Sequence, residues 1–286
     1  MRDHPVIGAH GEALDVPDAH HRLVGAGLGE PAGRADRLGE RVIVAISDDL
    51  GRTWPRHAVV FEDPEKRLGF FEHKLAEFAP GRVLATAWTV TLGDVRDRPN
   101  SFAISNDAGL TWSEPAELVP GDTGNGRGPV KNKILRLADG RLLAPASSET
   151  GGRWLAFVDI SFDDGVTWQK QPDVPTRKPH RKYIPMIQPT LWESAPGTVH
   201  MLTRTGVGFV YRSDSADAGA TWSMAYRTKL LNNNSGLDLA RTPGGDLYLV
   251  SNPVGDNWGA RTPLTLMKSA DNGETWEEIL VLENGE

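Results

Sequence analysis

The chain has 286 residues, a formal net charge of −7, 24% charged and 39% hydrophobic residues, and no cysteine. Charges of both signs are interspersed without a basic patch, which argues against a nucleic-acid partner, and no apolar run approaches the ~20 residues of a membrane span. The absence of cysteine excludes disulfides and thiolate chemistry without fixing the compartment.

In chain order, residues 1–40 are rich in His, Gly, Ala and Asp and show no strand pattern. They read as an irregular lead segment without a signal-peptide core, which leaves the cytoplasm as the default location. Residues 41–286 read as one repeat-built domain. Arg41–Ile46 is an apolar run of strand length. It runs into Ser47-Asp48-Asp49-Leu50-Gly51-Arg52-Thr53-Trp54, the first of five copies of Ser-x-Asp-x-Gly-x-Thr-Trp. The others begin at Ser105, Ser161, Ser215 and Ser269, at steps of 58, 56, 54 and 54 residues. Asp and Gly supply turn chemistry, and the closing Thr and Trp favour a pleated surface, so each box predicts a hairpin turn.

Between boxes lies a second hairpin pattern, an apolar strand, a Gly-containing turn and another apolar strand. It covers Leu75–Ala85, Ile134–Ala144, Pro189–Leu202 and Leu237–Leu249. Two hairpins per period make four strands per repeat, the pattern of a β-propeller blade. An open β-solenoid needs shorter repeats. The fold class is therefore all-β, a propeller of four-stranded blades. About four and a half blades are counted, whereas a closed ring of six needs about 330 residues at this period. A ring of four or five blades is the alternative. The count implies six blades in the complete protein, with a C-terminal blade missing here or an atypical N-terminus.

The five boxes resemble the Asp-box, or BNR repeat, of the sialidase superfamily. The segments Glu72-His73-Lys74-Leu75, Lys131-Asn132-Lys133, Ile187-Gln188-Pro189-Thr190, Leu202-Thr203-Arg204, Asn232–Gly236 and Arg261-Thr262-Pro263-Leu264 resemble its bacterial sialidase-like members. The resemblance implies boxes at the outer rim, with a structural role, and a pocket lined by innermost strands and their entry loops. It also implies arginines holding a substrate carboxylate through the planar guanidinium fork. Arg204 and Arg261 match that role, with Arg127 a third candidate; a solvated surface arginine is the bland alternative for each.

Lys133, supported by Asn132, is a candidate cation near the axis, or else an edge-strand lysine that discourages pairing. Gln188 precedes Pro189, which predicts an extended backbone, and its amide suits a sugar hydroxyl or a strand cap. Asn232–Ser235 reads as a turn or as sugar-binding groups, with Asn234 and Ser235 as candidates. His73, in the first hairpin strand of a blade, is a structural histidine or an acid–base group. Sialidases depart from the usual pair of catalytic carboxylates in using a Tyr nucleophile assisted by Glu. The family's late Tyr segment has no match here; of the four tyrosines, only Tyr183 lies near a candidate pocket strand. Glu149 and Asp238 are the first acids to test, with Asp97 behind them. No metal cluster or cofactor is expected. The function implied is a sialidase-like glycosidase of exo-α-sialidase type, acting on a terminal acidic sugar of a glycan. Alternatives are a non-catalytic glycan-binding or scaffold propeller, or a uronate-directed lyase or rhamnosidase-like hydrolase on the same fold, where His73 would carry more of the chemistry.

Overall fold

The computed structural model describes residues 23–28, 41–65, 67–91, 100–121, 132–149, 153–176 and 183–285. They contain strands and no helix. The chain falls into two compact units, Met1–Val130 with Gly165–Thr167, and Lys131–Asp164 with Trp168–Glu286.

The first unit holds two sheets. One has three strands, β1 (Leu23–Leu28), β2 (Arg41–Ser47) and β3 (Arg56–Glu62), in that order. The other has four, β4 (Leu68–Ala79), β5 (Arg82–Thr91), β6 (Ser101–Ser105) and β7 (Ala116–Glu117). Burial alternates along β2, where Val42, Val44 and Ile46 are buried and Arg41, Ile43 and Ala45 are half-buried. Val42, Val44, Phe61, Phe70, Ala85 and Ala103 form one core, with Phe61 stacked on Phe70 at 5.5 Å. β1 lies in the segment expected to be irregular and pairs antiparallel with β2 from Leu23↔Ser47 to Leu28↔Val42. Its sequence, Leu-Val-Gly-Ala-Gly-Leu, has small residues where a strand pattern needs large or polar ones.

The second unit holds three four-stranded sheets. The first is β8 (Leu135–Arg136), β9 (Leu142–Ser148), β10 (Leu155–Ser161) and β11 (Gln169–Lys170). The second is β12 (Met186–Ala195), β13 (Thr198–Thr205), β14 (Phe209–Ser215) and β15 (Tyr226–Leu231). The third is β16 (Asp238–Arg241), β17 (Leu247–Ser251), β18 (Leu264–Ser269) and β19 (Glu277–Glu283). Every pairing is antiparallel between chain neighbours, so each sheet is a meander, the topology of a propeller blade. β12 packs against β9 and β10 on one side and β16 on the other. Leu143, Val158, Met186, Leu191, Met201 and Trp222 fill one core between sheets, and Trp192, Leu202, Leu237, Leu247 and Leu249 another.

Each box joins the third strand of its sheet to the fourth, apart from the first, which joins β2 to β3. Its polar groups close on themselves. In the copy at Ser215, Ser215 Oγ donates to Asp217 Oδ1 at 2.7 Å, and Gly219 N donates to Ser215 Oγ at 2.9 Å. Thr221 N and Oγ1 donate to the two Asp217 oxygens at 2.8 and 2.6 Å. Four such bonds satisfy a tight turn whose backbone groups have no ladder partner. The residue before each box glycine also has positive φ, between 57° and 60°. The glycine is required at Gly219, where φ is +85° and a Cβ would stand 2.6 Å from Leu143 Cδ2. The boxes are thus the structural turns that the sequence predicts.

Candidate functional site

Antiparallel meanders place the start of the first strand, the end of the second and the start of the third at one end of a sheet. In the second unit this end is marked by Ser148↔Leu155, Met186↔Thr205 and Asp238↔Val250. The boxes lie at the other end, where Ser161 pairs with Leu142, Ser215 with Val199 and Ser269 with Leu247. The sequence-predicted site residues of this unit lie at or beside the end without boxes.

Arg204, near the end of β13, is the centre of one group. Its Nε donates to Asn234 Oδ1 at 2.8 Å and its Nη1 to Gln188 Oε1 at 2.8 Å. Two neutral acceptors on one guanidinium fix its plane while leaving its charge unbalanced by them. The guanidinium carbon lies 5.9 Å from the Trp154 ring and 5.6 Å from the Trp258 ring. The two indoles meet edge to face at 6.5 Å. The two adjoining rings supply cation–π attraction and lower the local dielectric.

The backbone at Gln188 departs from the sequence reading. Gln188 is not extended; its φ is +52°, at an irregularity in the β12–β13 register between Ile187 and Thr190. A bulge turns one residue out of the ladder and aims its side chain, here onto Arg204. Asn234 likewise has φ +63°. Such conformations in residues other than glycine cost of order 1–3 kcal/mol and persist where surrounding contacts impose them. The Asn232–Ser235 run is buried rather than a solvated turn. Asn233 Nδ2 donates to the Gly259 carbonyl at 3.2 Å and also to that of Ala260; Ser235 Oγ donates to Asn252 Oδ1 at 2.8 Å. Asn234 Nδ2 donates to Asn257 Oδ1 at 3.1 Å, and Trp258 N to the Asn233 carbonyl at 3.0 Å. The run therefore braces the loop between β17 and β18, which carries Trp258 and Arg261. Trp258 itself is 61% exposed with φ +60°. Arg261 is exposed, and its carbonyl accepts from Asn252 Nδ2 at 2.6 Å.

A second group joins three sheets. Lys133 Nζ forms an ion pair with Asp238, and Thr190 Oγ1 donates to the same Asp238 oxygen at 3.2 Å. Asn132 is buried; its Nδ2 donates to the Leu237 carbonyl at 3.1 Å and its Oδ1 accepts from Lys133 N at 2.9 Å. Thr190, two residues beyond Gln188 on β12, links the two groups. Glu149 follows Ser148, the partner of Leu155 across the β9–β10 hairpin, and so shares the hairpin end with Trp154. Tyr183 OH donates to the Trp154 carbonyl, the Arg153 guanidinium lies 5.5 Å from its ring, and burial pushes its phenol up.

His73 belongs to the first unit. It lies on β4, at a register irregularity between Phe71 and Lys74. Arg127, Asp97 and Lys131 lie outside the described residues. Among the described residues no group of three His, Cys, Asp or Glu could hold a metal ion. Sequence reasoning missed Trp154, Trp258 and Asn257. A usable signal existed: five of the nine tryptophans close boxes, and Trp154 and Trp258 are two of the four that do not.

A family model described as a BNR repeat-like domain matches residues 41–286. No curated protein matches the chain. Among solved structures, a Hadza microbial sialidase, Hz136, superposes with a TM-score of 0.75 at 20% identity, covering 92% of this chain and 57% of that one. The NanB sialidase from Streptococcus pneumoniae gives 0.63 at 14% identity, covering 90% and 58%. A Trypanosoma rangeli sialidase in complex with the inhibitor DANA gives 0.66 at 16% identity, covering 92% and 47%. The chain thus spans about half the length of these sialidases, and at such identities the likeness is one of fold. With strands paired as four-stranded meanders, a box at the third turn of each and a model match across 246 residues, the chain belongs to the BNR repeat-like family and has the sialidase-like β-propeller fold.

Proposed function

We propose that the chain binds a carboxylate-bearing sugar at Arg204 and acts as a glycosidase of exo-α-sialidase type on a terminal acidic sugar. The observation that carries this reading is the Arg204 guanidinium held in plane by Gln188 and Asn234 beside the Trp154–Trp258 pair. A planar cation held in a fixed orientation beside indole faces suits a ligand combining an anionic group with apolar sugar C–H surfaces. Arg261, on the braced loop, would be the second carboxylate-binding arginine. Lys133, Asn132 and Asp238 would bind ring hydroxyls, and Glu149 would do acid–base work on the glycosidic oxygen through an oxocarbenium-like transition state. His73 stays a candidate acid–base group of the first unit.

One observation favours binding without hydrolysis as the second reading. Asp238 is engaged by Lys133, Thr190 and the backbone N–H of Leu239, an arrangement suited to an acceptor rather than a proton donor. The test assays 4-methylumbelliferyl sialoside, uronide and rhamnoside hydrolysis beside calorimetric titration with N-acetylneuraminic acid. Sialoside turnover lost in Glu149→Gln supports the enzyme. Binding abolished in Arg204→Ala, with no turnover on any substrate, supports the binding module. No binding and no turnover sinks both.

A further inference from the structure

At the box end of the second sheet of this unit stands a group of side chains that the carbohydrate reading does not use. Ser194 Oγ lies 2.7 Å from His200 Nε2, and His200 Nδ1 lies 2.6 Å from Asp214 Oδ1. Ser194 sits near the end of β12 and His200 near the start of β13, facing each other across the short hairpin turn; Asp214 is the cross-strand partner of His200 on β14. The Asp214 carboxylate also accepts from Tyr226 OH at 3.0 Å. Burial works to raise its pKa, but the bonds from His200 and Arg212 outweigh it and hold the carboxyl at about 2. Asp214 is therefore an acceptor only, which puts the imidazole proton on Nδ1 and the lone pair on Nε2, facing Ser194.

Asn272, from the fifth box, completes the group. Its Oδ1 accepts from Trp192 Nε1 at 2.7 Å, which fixes the amide's orientation and turns Nδ2 to within 3.1 Å of His200 Nε2. Asn272 thus donates to the same imidazole nitrogen that faces Ser194. Trp192 stacks on the imidazole at 4.9 Å and holds the ring. Arg212 also joins the group. Its Nε donates to Asp214 Oδ1 at 2.8 Å, its Nη2 lies 3.1 Å from His200 Nδ1, and its Nη1 reaches Glu274 Oε1 at 3.1 Å.

We propose that Ser194 is a nucleophile for acyl transfer, with His200 as its base and Asp214 as the positioning residue that sets the His200 tautomer. These are the roles of a Ser–His–Asp arrangement, which is recognised by geometry rather than by fold. The substrate class is a small acyl ester, such as an acetyl group on a larger molecule, because Ser194 borders a surface turn whose Ala195 and Pro196 are exposed. Ser194 Oγ attacks the carbonyl carbon while its proton passes to His200 Nε2. The carbon–alkoxide bond breaks and the alkoxide leaves with that proton. Water, deprotonated by His200, then adds to the acyl-serine; the carbon–Oγ bond breaks, Oγ recovers the proton, and a carboxylic acid is released. The site lies at the opposite end of the blade from Arg204 and does not depend on the carbohydrate reading.

The test treats the full chain with a fluorophosphonate probe and locates the adduct by peptide mass spectrometry, alongside p-nitrophenyl acetate hydrolysis. Ser194 is expected to carry the adduct. Ser194→Ala should abolish it, and His200→Gln should slow labelling by about 100-fold or more, in line with the loss of a general base. No adduct on Ser194 in the unsubstituted chain overturns the proposal. So does labelling of Ser194 at an unchanged rate in a folded His200→Gln variant.

Discussion

Replacing Arg204 by lysine keeps the charge and removes the plane. The native guanidinium is held by Asn234 and Gln188 at 2.8 Å each, beside two indoles at 5.9 and 5.6 Å. A lysine ammonium is a point charge that cannot present two parallel N–H donors to a carboxylate. One charge-assisted bond of ~1.5–3 kcal/mol is lost, together with the stacking component of the indole contacts. The sum, about 2–4 kcal/mol, corresponds to about 30–900-fold weaker binding of N-acetylneuraminic acid. Because Trp154 and Trp258 flank the site, ligand titration can be followed by indole fluorescence and checked by calorimetry. Thermal unfolding should move by only a few degrees, since Asn234 keeps Asn257 as a partner. An Arg204→Lys variant that binds within threefold of the unsubstituted chain would refute the reasoning, because the fixed plane would then contribute nothing.

Three further predictions follow from the blades. Gly219→Ala should destabilise by about 2–4 kcal/mol, from the positive φ and the 2.6 Å approach to Leu143; an unchanged melting temperature would show that the two sheets do not pack as described. Asp217→Ala removes the acceptor for Thr221 N, Thr221 Oγ1 and Ser215 Oγ and should cost about 1–2 kcal/mol after solvent screening, measured by denaturant unfolding, with ligand affinity unchanged. Stability should fall in acid: Asp214 is depressed from 3.8 to about 2, so its contribution is present above pH ~4 and disappears as pH drops toward 2. After discounting for its half-buried position it contributes on the order of 1–2 kcal/mol, and Asp214→Asn should flatten the acid limb of the stability curve measured between pH 2 and 5.

How much of this was legible beforehand differs between blade and site. The box turns were readable because each is a local event: Ser, Asp, Gly and Thr within eight residues bond to one another, and the repeat shows the same solution five times. Arg204, Gln188, Asn234 and Lys133 were readable as polar residues beside strand patterns. What each touches was not, because Gln188 and Arg204 are 16 residues apart, Arg204 and Asn234 30, and Lys133 and Asp238 105. The bulge at Gln188 ran against the local preference of a residue before proline, since packing around Arg204 overrides that preference. The strand Leu23–Leu28 escaped notice because its small residues carry no period, and only the ladder with β2 defines it. Nor does any local pattern join Ser194, His200, Asp214 and Asn272, which come from three strands and the box of the next sheet.

The sequence by itself determined the fold class, the number of strands per repeat and the position of each box turn, because these depend on residue types within a few positions of one another. Tertiary structure alone decided which polar side chains meet, which indoles flank Arg204, and that the boxes and Arg204 occupy opposite ends of a blade. Those relations come from the antiparallel register and from sheet-on-sheet packing, where distance in space is independent of distance along the chain.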